Sequence, residues 1–305
     1  MIVEKFIPSH PLKTPVLFLI FKRLDTTKQV FEQIKKAKPP RLYIAADGPR
    51  DYVEGEAEKV KAAREYVLSN IDWNCEVKTL FREKNLGCGK AVSQAITWFF
   101  ENEEMGIILE DDCLPSQSFF WFCEELLERY KDDMRVGQIS GFNYGYKNKD
   151  LKYDYFFSKY PMIWGWASWA NRWKNYSLDL EDFDEIKALN FFNLLFDKKE
   201  LRKRLSVFNR VKNNEIDTWD YQWSFALYKN IQFTVIPKKN YILNLGFGED
   251  STHTFIKNPY EHLTLEETNK SLEHPKYIVQ DINLYKIINK EDRLLQKVVK
   301  KVLQK

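Results

Sequence analysis

Short strand-like segments alternate with helical patterns in the first part of the 305-residue chain, and this alternation constrains the fold more than any other feature. Residues 16–21, 42–46, 76–81 and 106–109 have the length and composition of strands, and helical patterns separate them. Strands that alternate with helices through short links build a parallel sheet with helices on both faces. The sequence therefore predicts an α/β fold with a mostly parallel, doubly wound sheet.

Charged residues follow three of these segments. Arg23 comes after the first, Asp47 after the second, and the acidic triplet Glu110-Asp111-Asp112 ends the fourth. Ligands of open α/β sheets bind beyond the carboxyl ends of the strands. We therefore expect these side chains to meet in one site.

The acidic triplet is a candidate cation site. Three adjacent carboxylates repel one another, and a cation relieves that repulsion. Oxygen ligands suit a hard divalent ion, Mn²⁺ or Mg²⁺, which can bridge diphosphate oxygens and stabilise a departing nucleotide diphosphate. The alternative is a solvated turn with a helix N-cap. The position of the triplet after a buried strand favours the metal site.

Bulk composition narrows the class of protein. The chain has 47 basic and 44 acidic residues, and this near balance gives no argument for nucleic acid as a partner. The four cysteines form no Cys-x-x-Cys pair, which is typical of reduced thiols. Residues 1–14 contain no apolar stretch of signal-peptide length. We therefore expect a cytoplasmic protein.

The strand-end residues resemble a known family. The resemblance is to the nucleotide-sugar half of a GT-A glycosyltransferase, and it covers residues 14–254. Within that class the chain resembles bacterial family 2 sugar transferases and the N-acetylglucosaminyltransferase I type of family 13. Two positions depart from the pattern, since Lys22 stands where Asn is expected and Phe142 where Asp is expected. The residues that carry the resemblance are Arg23, Asp47-Gly48, Asn85-Leu86-Gly87, Lys90, Glu110-Asp111-Asp112 and Phe119-Phe120.

The resemblance implies a role for each donor-side residue. Arg23 would contact the phosphates, and Asp47 would hydrogen-bond the base, typically uracil. Asp112 would bind the metal, Asp111 would contact the ribose or the donor sugar, and Lys90 would face the donor. The implied activity is metal-dependent, inverting transfer of a sugar from a nucleotide diphosphate, UDP above all, to a glycan or lipid-linked hydroxyl.

The acceptor side falls on two aromatic segments. Trp164-Gly165-Trp166 resembles the family's acceptor loop, because flat rings stack on sugars and glycine lets the backbone approach closely. The alternative for these tryptophans is core packing. Asp220 stands where the resemblance places the base that deprotonates the acceptor. Asp220 is equally suited to cap a helix, and Asp217 is the competing candidate for the base.

The C-terminal part is less regular. Residues 244–253 form a glycine-bearing polar loop, in which His253 is a candidate second metal ligand or phosphate donor. The pattern of residues 291–305 predicts a basic amphipathic helix. It would lie on an anionic membrane surface, dock on its own domain or form a dimer contact. We expect a catalytic domain at 1–259, divided into a nucleotide-binding half at 14–112 and an acceptor-binding half at 113–259. A helical appendage at 260–305 would follow it.

Three other classes of protein remain as alternatives. A non-catalytic carbohydrate-binding protein on the same scaffold would keep the tryptophans without needing the charged strand ends. A nucleotidyltransferase would carry a Gly-rich, Arg-containing loop after the first strand, where this chain has Phe21-Lys22-Arg23. A two-metal nuclease would need a basic track for nucleic acid, which the sequence does not show.

Overall fold

The computed structural model describes residues 6–146, 151–247 and 260–283. Within them, strands and helices alternate over the first half of the chain, and helices dominate residues 170–229. The strands are β1 (Val16–Ile20), β2 (Arg41–Ala46), β3 (Glu76–Phe81), β4 (Met105–Glu110), β5 (Cys113–Pro115), β6 (Val136–Ser140), β7 (Tyr155–Ser158), β8 (Trp166–Trp169), β9 (Phe233–Pro237) and β10 (Ile242–Asn244). The helices are α1 (Leu24–Ala37), α2 (Glu56–Ser69), α3 (Cys88–Asn102), α4 (Gln117–Tyr130), α5 (Ala170–Trp173), α6 (Phe183–Ala188), α7 (Lys198–Lys212) and α8 (Asp220–Lys229), with a 3-10 turn at Phe191–Leu194.

Eight strands form one sheet in the order β3-β2-β1-β4-β8-β6-β9-β7. The first four strands are parallel, and so are β6 and β9. Only β8, between β4 and β6, and the edge strand β7 run the other way among the described strands of this sheet. The prediction of an α/β fold with a mostly parallel sheet is therefore confirmed.

Helices cover both faces of the sheet. Phe18 of β1 belongs to a buried cluster with α1 and α4, whereas its neighbours Leu17 and Leu19 belong to a second cluster with α3 and α8. All five residues of β1 are buried. Burial on both faces explains why this strand reads as a continuous apolar run in the sequence.

The predicted element boundaries hold closely in the first half of the chain and less well beyond it. The third strand spans residues 76–81 as predicted. Asp25 follows the first strand and is the residue type that commonly caps a helix, but helix α1 begins at Leu24 and Asp25 lies in its first turn. The sequence of residues 163–173 predicts an aromatic loop leading into a helix, and this prediction is wrong because residues 166–169 form β8. All four residues of β8 are buried, so the strand lacks the alternation that marks a strand in a sequence.

The described part of the C-terminal region packs on the domain. The carboxylate of Glu267 accepts hydrogen bonds from the backbone amides of Gln117 (3.0 Å) and Ser118 (2.7 Å) at the start of α4. Tyr260 packs edge-on against Phe142, with ring centroids 5.2 Å apart. His253 and the predicted basic helix at 291–305 lie outside the described residues. No helix in the described ranges combines the length and the apolar character that crossing a membrane requires.

Candidate functional site

The strand-end side chains lie together in one cleft. It has a volume of about 500 Å³ and opens beyond the carboxyl ends of β1, β2 and β4. Small or apolar residues of β1, β2 and α3 form part of its wall. Five of the predicted site residues line it, namely Arg23, Asp47, Asp111, Asp112 and Trp164.

Arg23 and the acidic triplet form the charged centre of the cleft. Arg23 Nη2 lies 2.5 Å from Asp111 Oδ1 and 2.9 Å from Asp112 Oδ2, so one guanidinium nitrogen bridges both carboxylates. Asp111 is buried, and its second oxygen accepts a hydrogen bond from the Phe21 amide at 3.2 Å. Asp112 is more open, with 15% of its side chain exposed. The acids therefore face the cleft and meet Arg23 there.

The cluster formed by Arg23 and the acidic triplet contains more carboxyl groups than the single guanidinium of Arg23 can neutralise. Burial raises the pKa of Glu110 to about 8, and the charges of Asp112 and Asp111 add to the effect. Burial likewise raises the pKa of Asp111 to about 6, although Arg23 opposes the shift. Burial alone would lower the pKa of Arg23, but the two aspartates outweigh it and the pKa is raised. This surplus of acidic groups favours binding of a further cation.

Asp112 is the described residue best placed to hold a divalent cation. The described ranges contain no group of three or more His, Cys, Asp or Glu side chains arranged to hold a metal ion. A magnesium-like ion on a nucleotide needs only one or two protein carboxylates, because phosphates and waters supply its other ligands. The partly exposed carboxylate of Asp112 fits an ion that is shared with a diphosphate. His253, the other predicted ligand, is not among the described residues.

The carboxylate of Asp47 fixes the loop between β3 and α3 by hydrogen bonding. Its carboxylate accepts hydrogen bonds from the backbone amides of Gly48 (2.9 Å) and Leu86 (3.0 Å), and burial raises its pKa. Asn85, in the same loop, donates to the Gly48 carbonyl at 2.8 Å. A carboxylate has about four lone-pair directions. Asp47 can therefore hold the loop and still accept a hydrogen bond from a ligand in the cleft.

Lys90 does not reach the cleft. It lies in the first turn of α3 and is exposed, whereas Cys88, Ala91 and Ala95 of the same helix line the cleft. Successive helical residues are about 100° apart, so Lys90 falls on a different face of α3 from these three. Lys90 therefore does not line the cleft, and its contact with a donor stays a prediction.

The three residues predicted to form the acceptor loop lie in different environments in the structure. Trp164 lines the cleft and packs edge-on against Phe247, with ring centroids 5.7 Å apart. Trp166 is fully buried and stacks on Trp219 with ring centroids 5.7 Å apart, so its predicted contact with a ligand is wrong. Gly165 is also buried and has a φ of 59°, which favours glycine. It makes the turn into β8 rather than a surface for the acceptor.

The two candidate bases lie at the start of α8. Asp220 is the first residue of the helix, is partly buried and accepts a hydrogen bond from the Thr218 hydroxyl. The charge of Asp220 adds to the raised pKa of Glu110, after burial and the charges of Asp112 and Asp111. Asp217 lines the cleft, and its carboxylate accepts hydrogen bonds from the Cys88 and Gly89 amides, each at 2.8 Å. Asp217 thus caps α3 and lines the cleft, whereas Asp220 lies at the start of α8 and is not one of the residues that line it.

Sequence reasoning missed several residues that line the cleft. Arg82 follows β3 directly, so the strand-end rule that found Arg23 and Asp47 applied to it as well. Arg50 and Tyr52 lie in the loop between β2 and α2, where no pattern marks them. Arg50 pairs with a buried glutamate of α2, and Tyr52 is 83% exposed.

Comparisons with known proteins leave the family open. No protein-family model matches the chain, and no curated protein matches it significantly. Among solved structures, HddC from Yersinia pseudotuberculosis is similar at 9% identity, with 53% of this chain and 80% of that chain covered and a TM-score of 0.32. A UDP-glucose pyrophosphorylase complexed with UDP-glucose is similar at 11% identity over 54% and 79%, with a TM-score of 0.33. The inositol-1-phosphate CTP transferase of T. maritima is similar at 14% identity over 53% and 73%, with a TM-score of 0.31. Similarity at this level establishes neither a common fold nor a common function.

Proposed function

We propose that the chain is a metal-dependent, inverting glycosyltransferase of the GT-A type. It transfers a sugar from a nucleotide diphosphate, UDP above all, to a hydroxyl of a glycan or lipid-linked acceptor. The observation that supports this proposal most strongly is the convergence of Arg23, Asp47 and Asp112 on one cleft at the sheet edge. Ligands of open α/β sheets bind at such an edge.

The donor side of the mechanism follows from the charged centre. Asp112 would hold a divalent ion, Mn²⁺ or Mg²⁺, and a bound ion would supply positive charge against the charge of the diphosphate. Arg23 contacts the phosphates, and Asp47 accepts a hydrogen bond from the base. Asp111 keeps Arg23 in the cleft through the 2.5 Å contact and stays the candidate for a ribose or donor-sugar hydroxyl.

The acceptor side requires a base beside the acidic centre. The acceptor oxygen attacks the anomeric carbon while the bond to the diphosphate oxygen breaks, and the acceptor proton passes to Asp220. In this single displacement the configuration inverts, and no covalent intermediate with the protein forms. Trp164, at the edge of the cleft, offers an aromatic face to a sugar ring.

Thermal unfolding with UDP, GDP and TDP, each with and without Mn²⁺, tests the donor side. We expect one nucleotide to raise the Tm by several degrees only when Mn²⁺ is present, because a ligand stabilises the folded state that binds it. Asp112→Asn should remove the effect of Mn²⁺. A screen of nucleotide sugars for transfer or hydrolysis then identifies the donor.

Two results would contradict the proposal in different ways. A Tm that responds to oligosaccharides but to no nucleotide would indicate the carbohydrate-binding protein. Release of pyrophosphate from a nucleoside triphosphate and a sugar 1-phosphate would indicate a nucleotidyltransferase. The latter assay is run alongside the transfer assay on the same preparation.

A further inference from the structure

Arg23 occupies the position where a cation on the acidic triplet is expected. Its Nη2 atom lies 2.5 Å from Asp111 and 2.9 Å from Asp112, and only 20% of its side chain is exposed. The two aspartates together raise the pKa of Arg23, so the guanidinium stays charged. The ligand-free cleft therefore contains its own counter-ion.

The two aspartates are held unequally by this counter-ion. Asp111 is fixed by Arg23 on one oxygen and by the Phe21 amide on the other. Among the described residues, Asp112 has Arg23 on one oxygen and the weak thiol donor of Cys113, at 3.4 Å, on the other. Loss of the contact between Arg23 and Asp112 would thus expose a carboxylate oxygen and leave Arg23 attached to Asp111.

The backbone of the loop that follows β10 lies directly over Arg23 and Asp112. A Cβ atom added to Gly246 would overlap Asp112 Oδ2 and would lie 3.1 Å from Arg23 Nη1. The Leu245 amide donates to the Asp112 carbonyl at 2.7 Å and holds the loop in place. A cation that approaches Asp112 therefore meets the guanidinium in a narrow space.

We propose that Arg23 competes with the divalent cation for Asp112 and releases it when a nucleotide diphosphate accepts the guanidinium. The donor phosphates attract Arg23, and the vacated Asp112 oxygen becomes available to the metal. Binding of the metal and binding of the nucleotide are thereby coupled, and linkage makes the coupling equal in both directions. The use of a nucleotide diphosphate rests on the proposed function, whereas the competition for Asp112 does not.

Titration of the nucleotide-free full-length chain with Mn²⁺ tests the competition without any assay of activity. The electron paramagnetic resonance signal of free Mn²⁺ reports the unbound fraction. We expect Arg23→Gln to bind Mn²⁺ about tenfold more tightly than the wild type, which lies within the usual range for linked sites. The double variant Arg23→Gln/Asp112→Asn should lose this gain, because the released carboxylate is missing.

A second cleft arginine provides the matched control. Arg82 also lines the cleft, but its guanidinium donates to Gln94 at 3.0 Å. Arg82→Gln removes the same charge and should leave Mn²⁺ affinity within about twofold of the wild type, because the hydrogen bond of Arg82 goes to Gln94 rather than to the triplet and salt screens a solvent-accessible charge. Equal Mn²⁺ affinities of Arg23→Gln and the wild type would overturn the proposal, and so would an equal gain in both single variants.

A conservative variant keeps the test valid if Arg23→Gln fails to fold. Arg23→Lys retains the charge, but one ammonium group lacks the planar fork of arginine and holds two carboxylates less well. We expect a smaller gain in Mn²⁺ affinity, about threefold, and no gain would count against the proposal. If the gain appears but no sugar is transferred, the competition stands and the transferase proposal falls.

Discussion

Asp217 and Asp220 lie close together in sequence but make different contacts. Asp217 binds two backbone amides of α3, whereas Asp220 is the first residue of α8 and accepts a hydrogen bond from the Thr218 hydroxyl. We expect Asp220→Asn to keep metal-dependent nucleotide binding and to lower the transfer rate by about 10²- to 10⁴-fold, the usual contribution of a general base. Thermal shift with nucleotide and an initial-rate assay measure the two properties separately.

Asp217→Asn is the control for that substitution. An amide caps a helix less well when the two accepted hydrogen bonds need both oxygens of a carboxylate. The free energy of unfolding should fall by about 1 kcal/mol, as for other lost caps, while the transfer rate of the folded protein stays near that of the wild type. The assignment of the base to Asp220 fails if Asp217→Asn is inactive and Asp220→Asn retains full turnover.

Trp164 and Trp166 show what a sequence cannot distinguish at the scale of a residue. Both flank Gly165, and both looked equally able to stack on a sugar. The structure places Trp164 at the cleft and buries Trp166 in contact with Trp219 and Trp223. Which of the two is buried depends on the pairing of β8 with β4, a contact between segments far apart in the chain.

Replacement of the two tryptophans should therefore have different consequences. Trp166→Ala should lower the free energy of unfolding by about 3–5 kcal/mol, because it leaves a large cavity in the core. Trp164→Ala should weaken the acceptor's apparent affinity and cost less stability. Urea unfolding and the KM for the acceptor report these effects. A larger loss of stability in Trp164→Ala than in Trp166→Ala would contradict the assignment of Trp166 to the core.

At the scale of the elements, the start of α3 is tied to the segment before α8. A Cβ atom on Gly89 would lie 2.7 Å from the Thr218 carbonyl oxygen and 2.8 Å from Asp217 Oδ1. Alanine normally stabilises a helix relative to glycine. Here we expect Gly89→Ala to lower the free energy of unfolding by about 1–3 kcal/mol, as other cases of overpacking do. The displaced segment should also lower the transfer rate.

Gly55→Ala controls for the cost of replacing a glycine at the beginning of a helix. Gly55 precedes α2 with a φ of 71°, and no atom of the described residues lies within 4 Å of an added Cβ. The substitution should lower the free energy of unfolding by about 1 kcal/mol through backbone strain alone. The transfer rate per folded molecule should not change. If the transfer rate fell equally in Gly89→Ala and Gly55→Ala, the close contact at Gly89 would have no specific effect on the function of the site.

The elements that sequence reasoning found are those whose pattern is local. The burial of β1 is visible in the sequence as a continuous apolar run, and that of α1 as apolar residues at helical spacing. The predicted bounds of both elements match the structure within a few residues. The strands β5 and β10 have three residues each and exist only because they pair with each other across the chain. The donor half of the cleft was predictable because strand ends mark it, whereas Tyr52 lies in a loop that no pattern distinguishes.

At the scale of the whole molecule, two glutamates whose pKa values are shifted in opposite directions make stability depend on pH in opposite ways. Burial raises the pKa of Glu110 from an ordinary value of 4.5 to about 8, while pairing with Arg50 and Lys22 lowers the pKa of Glu56 to about 2. The folded protein therefore holds a proton on Glu110 that the unfolded chain releases above pH 4.5. The free energy of unfolding falls accordingly as pH rises from about 4.5 to 8. The contribution of Glu56 is present above pH 4.5 and is lost as pH falls towards 2.

Replacing Glu110 or Glu56 by glutamine should remove the part of the pH dependence of stability that comes from that residue. In metal-free buffer, the Tm of Glu110→Gln minus that of the wild type should increase between pH 4.5 and 8 and then level off, because glutamine has no proton to lose. Glu56→Gln should instead lower the Tm most above pH 4.5, where the wild type keeps its ion pairs with Arg50 and Lys22. Thermal unfolding across this range measures both differences. A constant difference between Glu110→Gln and the wild type from pH 4.5 to 8 would show that Glu110 titrates as an exposed carboxylate and that the centre of the cleft is more hydrated than its contacts imply.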